Sequence, residues 1–157
     1  MYKKIIILGL GNLLYKDEGI GIHLIRELEK MKLPPNLELI DGGVGSLDIL
    51  LSLENIDKLI IIDALKGGGA PATVYRIDYQ ELEAEIDFNN LSLHQLSLLE
   101  VLSLIKKLGK LPPKVLIIGV EPKEISPGLN LTSRLKEKLP YILGVILKEC
   151  HLKEDLS

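Results

Sequence analysis

Cysteine, aromatic residues and long apolar runs are all scarce in this sequence. The 157 residues include one cysteine, Cys150, so no disulfide can form within the chain, and we expect a protein of the reducing cytoplasm. There is no tryptophan and aromatic residues make up 4% of the chain, so leucine, isoleucine and valine must build the core. No apolar run approaches the roughly 18 residues of a membrane-spanning helix, and we expect no membrane partner.

An excess of basic residues is also missing. The formal net charge is −3, with 19 Lys and Arg against 22 Asp and Glu, whereas nucleic-acid-binding domains usually present a basic face. We therefore expect no nucleic-acid partner. Hydrophobic residues make up 46% of the chain, an ordinary globular balance, and the length favours a single domain over residues 1–157.

The sequence does contain alternating apolar strands and amphipathic helices. Apolar runs typical of buried parallel strands cover residues 3–8, 37–40, 58–63 and 114–120. Helical periodicity covers residues 20–31, 47–51, 94–108 and 132–151. Asp17 and Ser46 are predicted N-caps of the first two helices, and Gly109 fits the end of the third. Pro140 should kink or split the last helix.

One further strand is predicted to run against the others. Residues 73–78 alternate between apolar and polar side chains, as in a half-exposed strand. Only about ten residues connect this strand to the one before, which is too short for a helical crossover. We therefore expect it to be antiparallel and at an edge, and residues 79–92 to form a surface loop with one helical turn. The predicted fold is a three-layer α/β/α sandwich with a mixed five-stranded sheet.

The first strand has to be distinguished from a secretion signal. Lys3 and Lys4 precede an apolar run, as in a signal peptide. Gly9, Gly11 and Asn12 interrupt that run, however, and no small-residue cleavage site follows. We therefore expect a buried strand that ends in a glycine turn.

Three polar residues stand where this topology brings chain segments to one edge of the sheet. Glu18 follows the first strand, Asp63 closes the third, and His94 opens the helix that crosses toward the fifth. Because ligands bind outside the carboxyl ends of strands in open α/β sheets, these residues mark a candidate site. Two carboxylates and one imidazole suit zinc, nickel, manganese or iron and leave coordination positions open.

Each of these residues also has a purely structural interpretation. A glutamate in the first turn of a helix is a favourable dipole partner, and an aspartate at a strand end is often a turn former. A histidine at a helix start can simply cap it. The three residues are 45 and 31 positions apart, so spacing alone does not decide between the interpretations.

Other chemistries have little support in the sequence. Ser46 lacks the glycine two positions later that a nucleophile elbow requires. Gly9 and Gly11 are not followed by the third glycine of a dinucleotide-binding turn, since position 14 is leucine. Cys150 lies in the last predicted helix and is expected to be a packed thiol.

Several short motifs, in order along nearly the whole chain, carry a family resemblance. They are Gly9-Leu10-Gly11-Asn12, Asp17-Glu18-Gly19-Ile20-Gly21, Asp41-Gly42-Gly43, Ile61-Ile62-Asp63-Ala64, Ser92-Leu93-His94-Gln95-Leu96, Gly119-Val120-Glu121-Pro122 and Gly128-Leu129-Asn130-Leu131-Thr132. Together they resemble the hydrogenase maturation endopeptidases, which process the large subunit of nickel–iron hydrogenases. The sequence departs from the family at Leu93, where relatives often have proline, and at Pro140, away from the motifs.

The resemblance implies a fold, a site and a substrate. The family fold is a phosphorylase/hydrolase-like sandwich with one antiparallel edge strand. A Glu, an Asp and a His bind nickel in the family, and they match Glu18, Asp63 and His94. The implied enzyme is a cytoplasmic peptidase, a monomer or weak dimer. It removes the C-terminal extension of a nickel-loaded (NiFe) hydrogenase large-subunit precursor, and the nickel is supplied by or shared with that substrate.

Two mechanisms remain open at this point. In one, nickel is a recognition element that bridges the precursor to Glu18, Asp63 and His94. In the other, the metal activates a water that attacks the peptide carbonyl with a carboxylate as general base. Asp63 is the candidate base if Glu18 and His94 hold the metal. Because no patterned nucleophile is present, both versions favour water as the attacking group.

Two other functions are considered. Peptidyl-tRNA hydrolases also open with a strand and Gly-Leu-Gly-Asn followed by a tyrosine, but Tyr15 is followed here by Lys16-Asp17-Glu18 and not by Thr-Arg-His-Asn. The acidic balance also argues against a tRNA substrate. A non-catalytic small-ligand-binding α/β domain would explain the glycine turn but would leave the placement of Asp63 and His94 accidental.

Overall fold

The computed structural model of the chain describes residues 4–45, 47–82 and 93–150, apart from the side chains of Leu47 and of residues 93–96. The strands are β1 (Ile5–Leu10), β2 (Leu37–Gly43), β3 (Lys58–Ala64), β4 (Val74–Asp78) and β5 (Lys114–Val120). The helices are α1 (Ile20–Glu29), α2 (Leu47–Ser52), α3 (Tyr79–Leu82), α4 (Leu93–Lys107) and α5 (Ser133–Glu149), and a short 3-10 turn covers Lys16–Gly19. Ser46, the predicted cap of α2, lies outside the described residues.

The sheet has the order β2-β1-β3-β5-β4. β1 pairs in parallel with β2 and β3, and β3 pairs in parallel with β5. β4 runs antiparallel to β5 and forms an edge, as the short connection predicted. The mixed five-stranded sheet is therefore confirmed.

The core consists of two apolar clusters, one on each face of the sheet. Side chains alternate between faces along a strand, so odd and even positions of β1 belong to different clusters. One cluster packs the sheet against α1 and α5, and the other packs it against α2 and α4. β1, β3 and β5 are covered on both faces, which is why their sequences are continuous apolar runs.

Gly109 ends α4 as predicted. It adopts φ +72°, and its N–H donates to Lys106 O at 3.0 Å while Lys110 N donates to Ile105 O at 3.0 Å. This pair of bonds is a Schellman motif, which satisfies carbonyls at the end of the helix.

Two local predictions are wrong. Asp17 is not the N-cap of α1, because the helix begins at Ile20 after Gly19, and Asp17 lies inside the 3-10 turn. The split predicted as one alternative at Pro140 does not occur, since α5 runs through it, and the kink stays a prediction. Buried leucines and isoleucines hold α5 on the sheet on both sides of Pro140, and this packing outweighs the one backbone hydrogen bond that proline cannot donate.

The amino edge of the sheet is closed by ion pairs. Lys58, at the start of β3, donates to the Glu149 carbonyl at the end of α5, and Arg76 contacts the Glu149 carboxylate at 2.5 and 3.2 Å. Lys114 pairs with Asp78. Burial lowers the pKa of Lys58, and the nearby Glu149 carboxylate partly offsets this effect.

Among the helices of the described ranges, none has the length and apolarity to cross a membrane.

Candidate active site

Close backbone packing places the 3-10 turn over the carboxyl edge of the sheet. A Cβ atom on Gly21 would lie 2.3 Å from Leu10 O and 2.4 Å from Ile62 O. A Cβ atom on Gly9 would lie 2.4 Å from Gly21 O. Only glycines allow this approach, so the start of α1 rests directly on the ends of β1 and β3.

Glu18 and Asp63 both lie at this edge of the sheet. Glu18 is half-buried in the 3-10 turn, which packs against β3. Asp63 is the next-to-last residue of β3, is 5% exposed, and its Oδ1 accepts the Ala64 N–H at 2.9 Å. The roles assigned to these two carboxylates remain predictions.

His94 is the second residue of α4, and its side chain lies outside the described part of the structure. α4 packs on the sheet and leads into the first residue of β5 at the amino edge. From residue 94 to its end α4 rises about 20 Å, close to the roughly 20 Å length of β5. Its first turn therefore reaches toward the carboxyl edge. Among the described residues, no three His, Cys, Asp or Glu side chains form a metal cluster, and this statement does not cover the His94 side chain.

Asp17, the neighbour of Glu18, is a structural anchor that the sequence did not reveal. It is fully buried. Its Oδ2 accepts hydrogen bonds from Lys123 N at 2.9 Å, Glu124 N at 3.2 Å and Thr132 Oγ1 at 2.8 Å, and its Oδ1 accepts one from Thr132 N at 2.8 Å. Asp17 therefore ties the turn that carries Glu18 to the loop after β5. We call this arrangement, with the contacts of Lys16 below, the Asp17 clamp.

Backbone contacts extend the Asp17 clamp. Gly128 N donates to Leu14 O at 2.8 Å, and Lys16 N donates to Gly128 O at 2.9 Å. The Lys16 ammonium lies 2.7 Å from a Glu124 carboxylate oxygen, and this contact lowers the pKa of Glu124. Lys16 adopts φ 45°, a conformation that non-glycine residues rarely take without support from their surroundings.

A second buried acid, Glu121, holds the loop that follows Asp63. Its Oε1 accepts hydrogen bonds from Gly67 N at 3.0 Å and from the Tyr75 hydroxyl at 2.9 Å, and that hydroxyl accepts one from Gly69 N at 2.9 Å. Burial and the hydrogen bond to Glu121 raise the pKa of Tyr75. A Cβ atom on either glycine would lie 2.6 Å from Tyr75, so the glycines of this loop are needed for contact with the ring. The glycine-rich loop was the sequence signal, but it did not indicate Glu121.

The site can therefore present carboxylates on a rigid support. Glu18 sits on a clamped turn, Asp63 on a central strand, and the loops beside both are fixed by buried acids. Such an arrangement suits the binding of a cation or the acceptance of a proton from water.

Comparison with known proteins identifies the family. The family model for hydrogenase maturation proteases matches residues 22–149. The chain is 35% identical over 146 residues to the hydrogenase 2 maturation protease of Escherichia coli, covering 92% of this chain and 88% of that protein. It is 36% identical over 155 residues to a putative hydrogenase maturation protease of Methanocaldococcus jannaschii, covering 93% of this chain and 98% of that protein.

Solved structures agree with these matches. The structure of the hydrogenase maturating endopeptidase HybD from E. coli superposes with a TM-score of 0.82 at 33% identity, covering 94% of this chain and 92% of that one. A hydrogenase maturation protease, HycI, from Thermococcus kodakarensis has a TM-score of 0.77 at 20% identity, covering 94% and 92%, which shows the shared fold. Membership in a peptidase family displaces the tRNA hydrolase and the non-catalytic alternatives. The chain belongs to the hydrogenase maturation protease family.

Proposed function

We propose that this peptidase removes the C-terminal extension of a nickel-loaded large-subunit precursor of a NiFe hydrogenase. It would act in the cytoplasm as a monomer or weak dimer. The observation that supports the proposal is that the turn carrying Glu18 packs against β3, the strand that carries Asp63, in a chain of this family. Edges of this kind are where α/β enzymes bind their ligands.

We propose further that Glu18, Asp63 and His94 hold the nickel that the precursor carries. Two carboxylates and an imidazole are suitable donors for a divalent metal of this kind. Asp63 is buried at a strand end with one oxygen engaged by Ala64 N, which fixes the carboxyl group in orientation. Bound nickel would supply a positive charge that positions the precursor next to these residues.

Asp63 has two alternative roles. If all three residues hold nickel, the enzyme recognises the precursor by binding its metal, and another group acts as the general base. If Glu18 and His94 hold it, Asp63 accepts a proton from the water that attacks the peptide carbonyl. In both versions the attacking group is water, and the clamped turn keeps Glu18 beside the strand that carries Asp63.

Cleavage of nickel-loaded precursor, followed by mass spectrometry, tests the ligand assignment. Glu18→Gln and His94→Ala should abolish the mass loss while thermal unfolding stays near that of the wild type. Glu38→Gln, an exposed glutamate on β2, and His23→Gln, a histidine on α1, serve as matched controls and should cleave normally. Full cleavage by either site variant would show that the assignment is wrong.

Two further measurements separate the roles. Metal-free precursor should remain uncut, and equal cleavage of both precursor forms would contradict recognition through nickel. Asp63→Asn should be tested for binding and cleavage separately. Retained nickel-dependent binding without cleavage indicates a base, whereas loss of both indicates a ligand.

A further inference from the structure

Exposed apolar side chains are concentrated beside the Glu18 turn. Leu14 is 61% exposed, Tyr15 40% and Leu129 66%. They lie on two segments that meet at a parallel bridge between Tyr15 and Gly128. We call Leu14, Tyr15 and Leu129 the apolar rim. Exposed apolar groups that cluster on one surface commonly mark a binding site.

The apolar rim is held in place from beneath. Gly128 N–H bonds to Leu14 O, and the next residue, Leu129, is fixed by the same backbone pairing. The Asp17 clamp anchors both segments through a fully buried carboxylate. The two leucines are therefore exposed on ordered backbone and do not fold back into the core. A preorganised surface loses little conformational freedom when a partner binds.

The rim is continuous with the candidate active site. Tyr15 O accepts the Glu18 N–H at 3.1 Å, so the rim and the proposed ligand share one turn. Lys16 and Glu124, on the same two segments, pair with each other at 2.7 Å. The rim itself carries no charged side chain. It therefore suits an apolar peptide segment better than a charged one.

We propose that the apolar rim binds apolar side chains of the precursor polypeptide next to the scissile bond. The proposal rests on the proposed function, since a peptidase must bring a protein segment to the edge where Glu18 lies. It adds that the precursor residues next to the scissile bond are apolar, and that the apolar rim is the surface that binds them. Contacts of this kind set affinity for the chain, whereas Glu18 and Asp63 hold the nickel or, for Asp63, act on the attacking water.

Steady-state cleavage of nickel-loaded precursor tests the rim. Leu14→Ser and Leu129→Ser should each raise KM about tenfold, the effect of losing one buried leucine contact, and change kcat less than about twofold. Leu108→Ser is the matched control, because Leu108 is 54% exposed just after α4 ends and before the chain enters β5 at the amino edge. It should leave both constants unchanged. Unchanged KM in both rim variants, or an equal effect of Leu108→Ser, would overturn the proposal.

Photocrosslinking keeps the test independent of catalysis. A benzophenone amino acid is placed at position 129 or, as control, at position 108, and the protein is irradiated with nickel-loaded precursor. Crosslinks from position 129 to residues flanking the cleavage point, absent from position 108, support the rim. Crosslinks to a distant region, crosslinks between two copies of this chain, or no difference between positions overturn it. If the wild type cuts no precursor, the proposed function fails, and crosslinks from position 129 to apolar residues of the precursor still show whether the apolar rim binds it.

Discussion

Replacing Asp17 with asparagine should weaken the fold far more than a surface substitution in the same clamp. The carboxylate is fully buried and accepts four hydrogen bonds, three at Oδ2 and one at Oδ1. Asparagine offers one acceptor and one donor group. With its oxygen at the Oδ2 position, the amide N–H₂ would face the Thr132 N–H, and the other orientation would lose three bonds.

The size of the effect follows from these contacts. A net hydrogen bond to a charged group contributes roughly 1.5–3 kcal/mol, and a neutral acceptor gives about half the strength. Losing one bond and weakening three gives a destabilisation of about 4–7 kcal/mol. Most domains are stable by only about 5–15 kcal/mol, so the variant should unfold at a much lower urea concentration.

Urea unfolding at neutral pH, with hydrogen exchange of the amides of Lys123, Glu124 and Thr132, measures this prediction. The three amides should exchange faster in Asp17→Asn even where the rest of the sheet stays protected. Glu124→Gln is the control, because it removes the exposed partner of Lys16 and leaves the Asp17 contacts in place. An Asp17→Asn variant no less stable than Glu124→Gln would refute the view that Asp17 holds the loop.

Other predictions concern packing and titration. Gly21→Ala should lower the free energy of unfolding, measured by thermal denaturation, by about 1–3 kcal/mol or more, because the new Cβ would lie 2.3 Å from the Leu10 carbonyl oxygen. Gly45→Ala is the control and should leave it unchanged, because a Cβ there has no neighbour within 4 Å. Burial raises the pKa of Cys150 to about 12, so the thiol should resist a thiol-specific reagent at pH 8 until urea unfolds the protein; immediate reaction would contradict this. Burial, with a smaller contribution from Arg26, lowers the pKa of His23 from 6.5. The unfolded chain therefore binds the proton more readily, and stability should fall as pH drops below 6.5, with a shallower fall in His23→Gln.

Features that depend on neighbouring residues could be read from the sequence. The apolar strands, the Gly109 helix end and the antiparallel β4 each follow from a local run, one glycine or one loop length. The placement of Glu18 and Asp63 at one edge of the sheet also followed, because parallel topology brings strand ends together.

Features decided by distant partners could not be read. Asp17 precedes a helix, and local rules offer only the nearby N–H groups of that helix as its partners. Its actual donors lie 106–115 residues further along the chain. Pro140 is a helix breaker by local rules, yet α5 continues through it because side chains on both sides of Pro140 are buried against the sheet. His94 as a ligand remains a prediction that rests on sequence and on the position of its helix.

The Asp17 clamp also sets an order of events during synthesis. The turn that carries Glu18 is synthesised before its hydrogen-bond donors, which end at Thr132, near the start of α5. A nascent chain that stops before this residue can form β1 and α1 but cannot complete the turn. The protease would therefore gain its finished site only after synthesis has passed Thr132. Contacts over such separations are also the slow ones in folding.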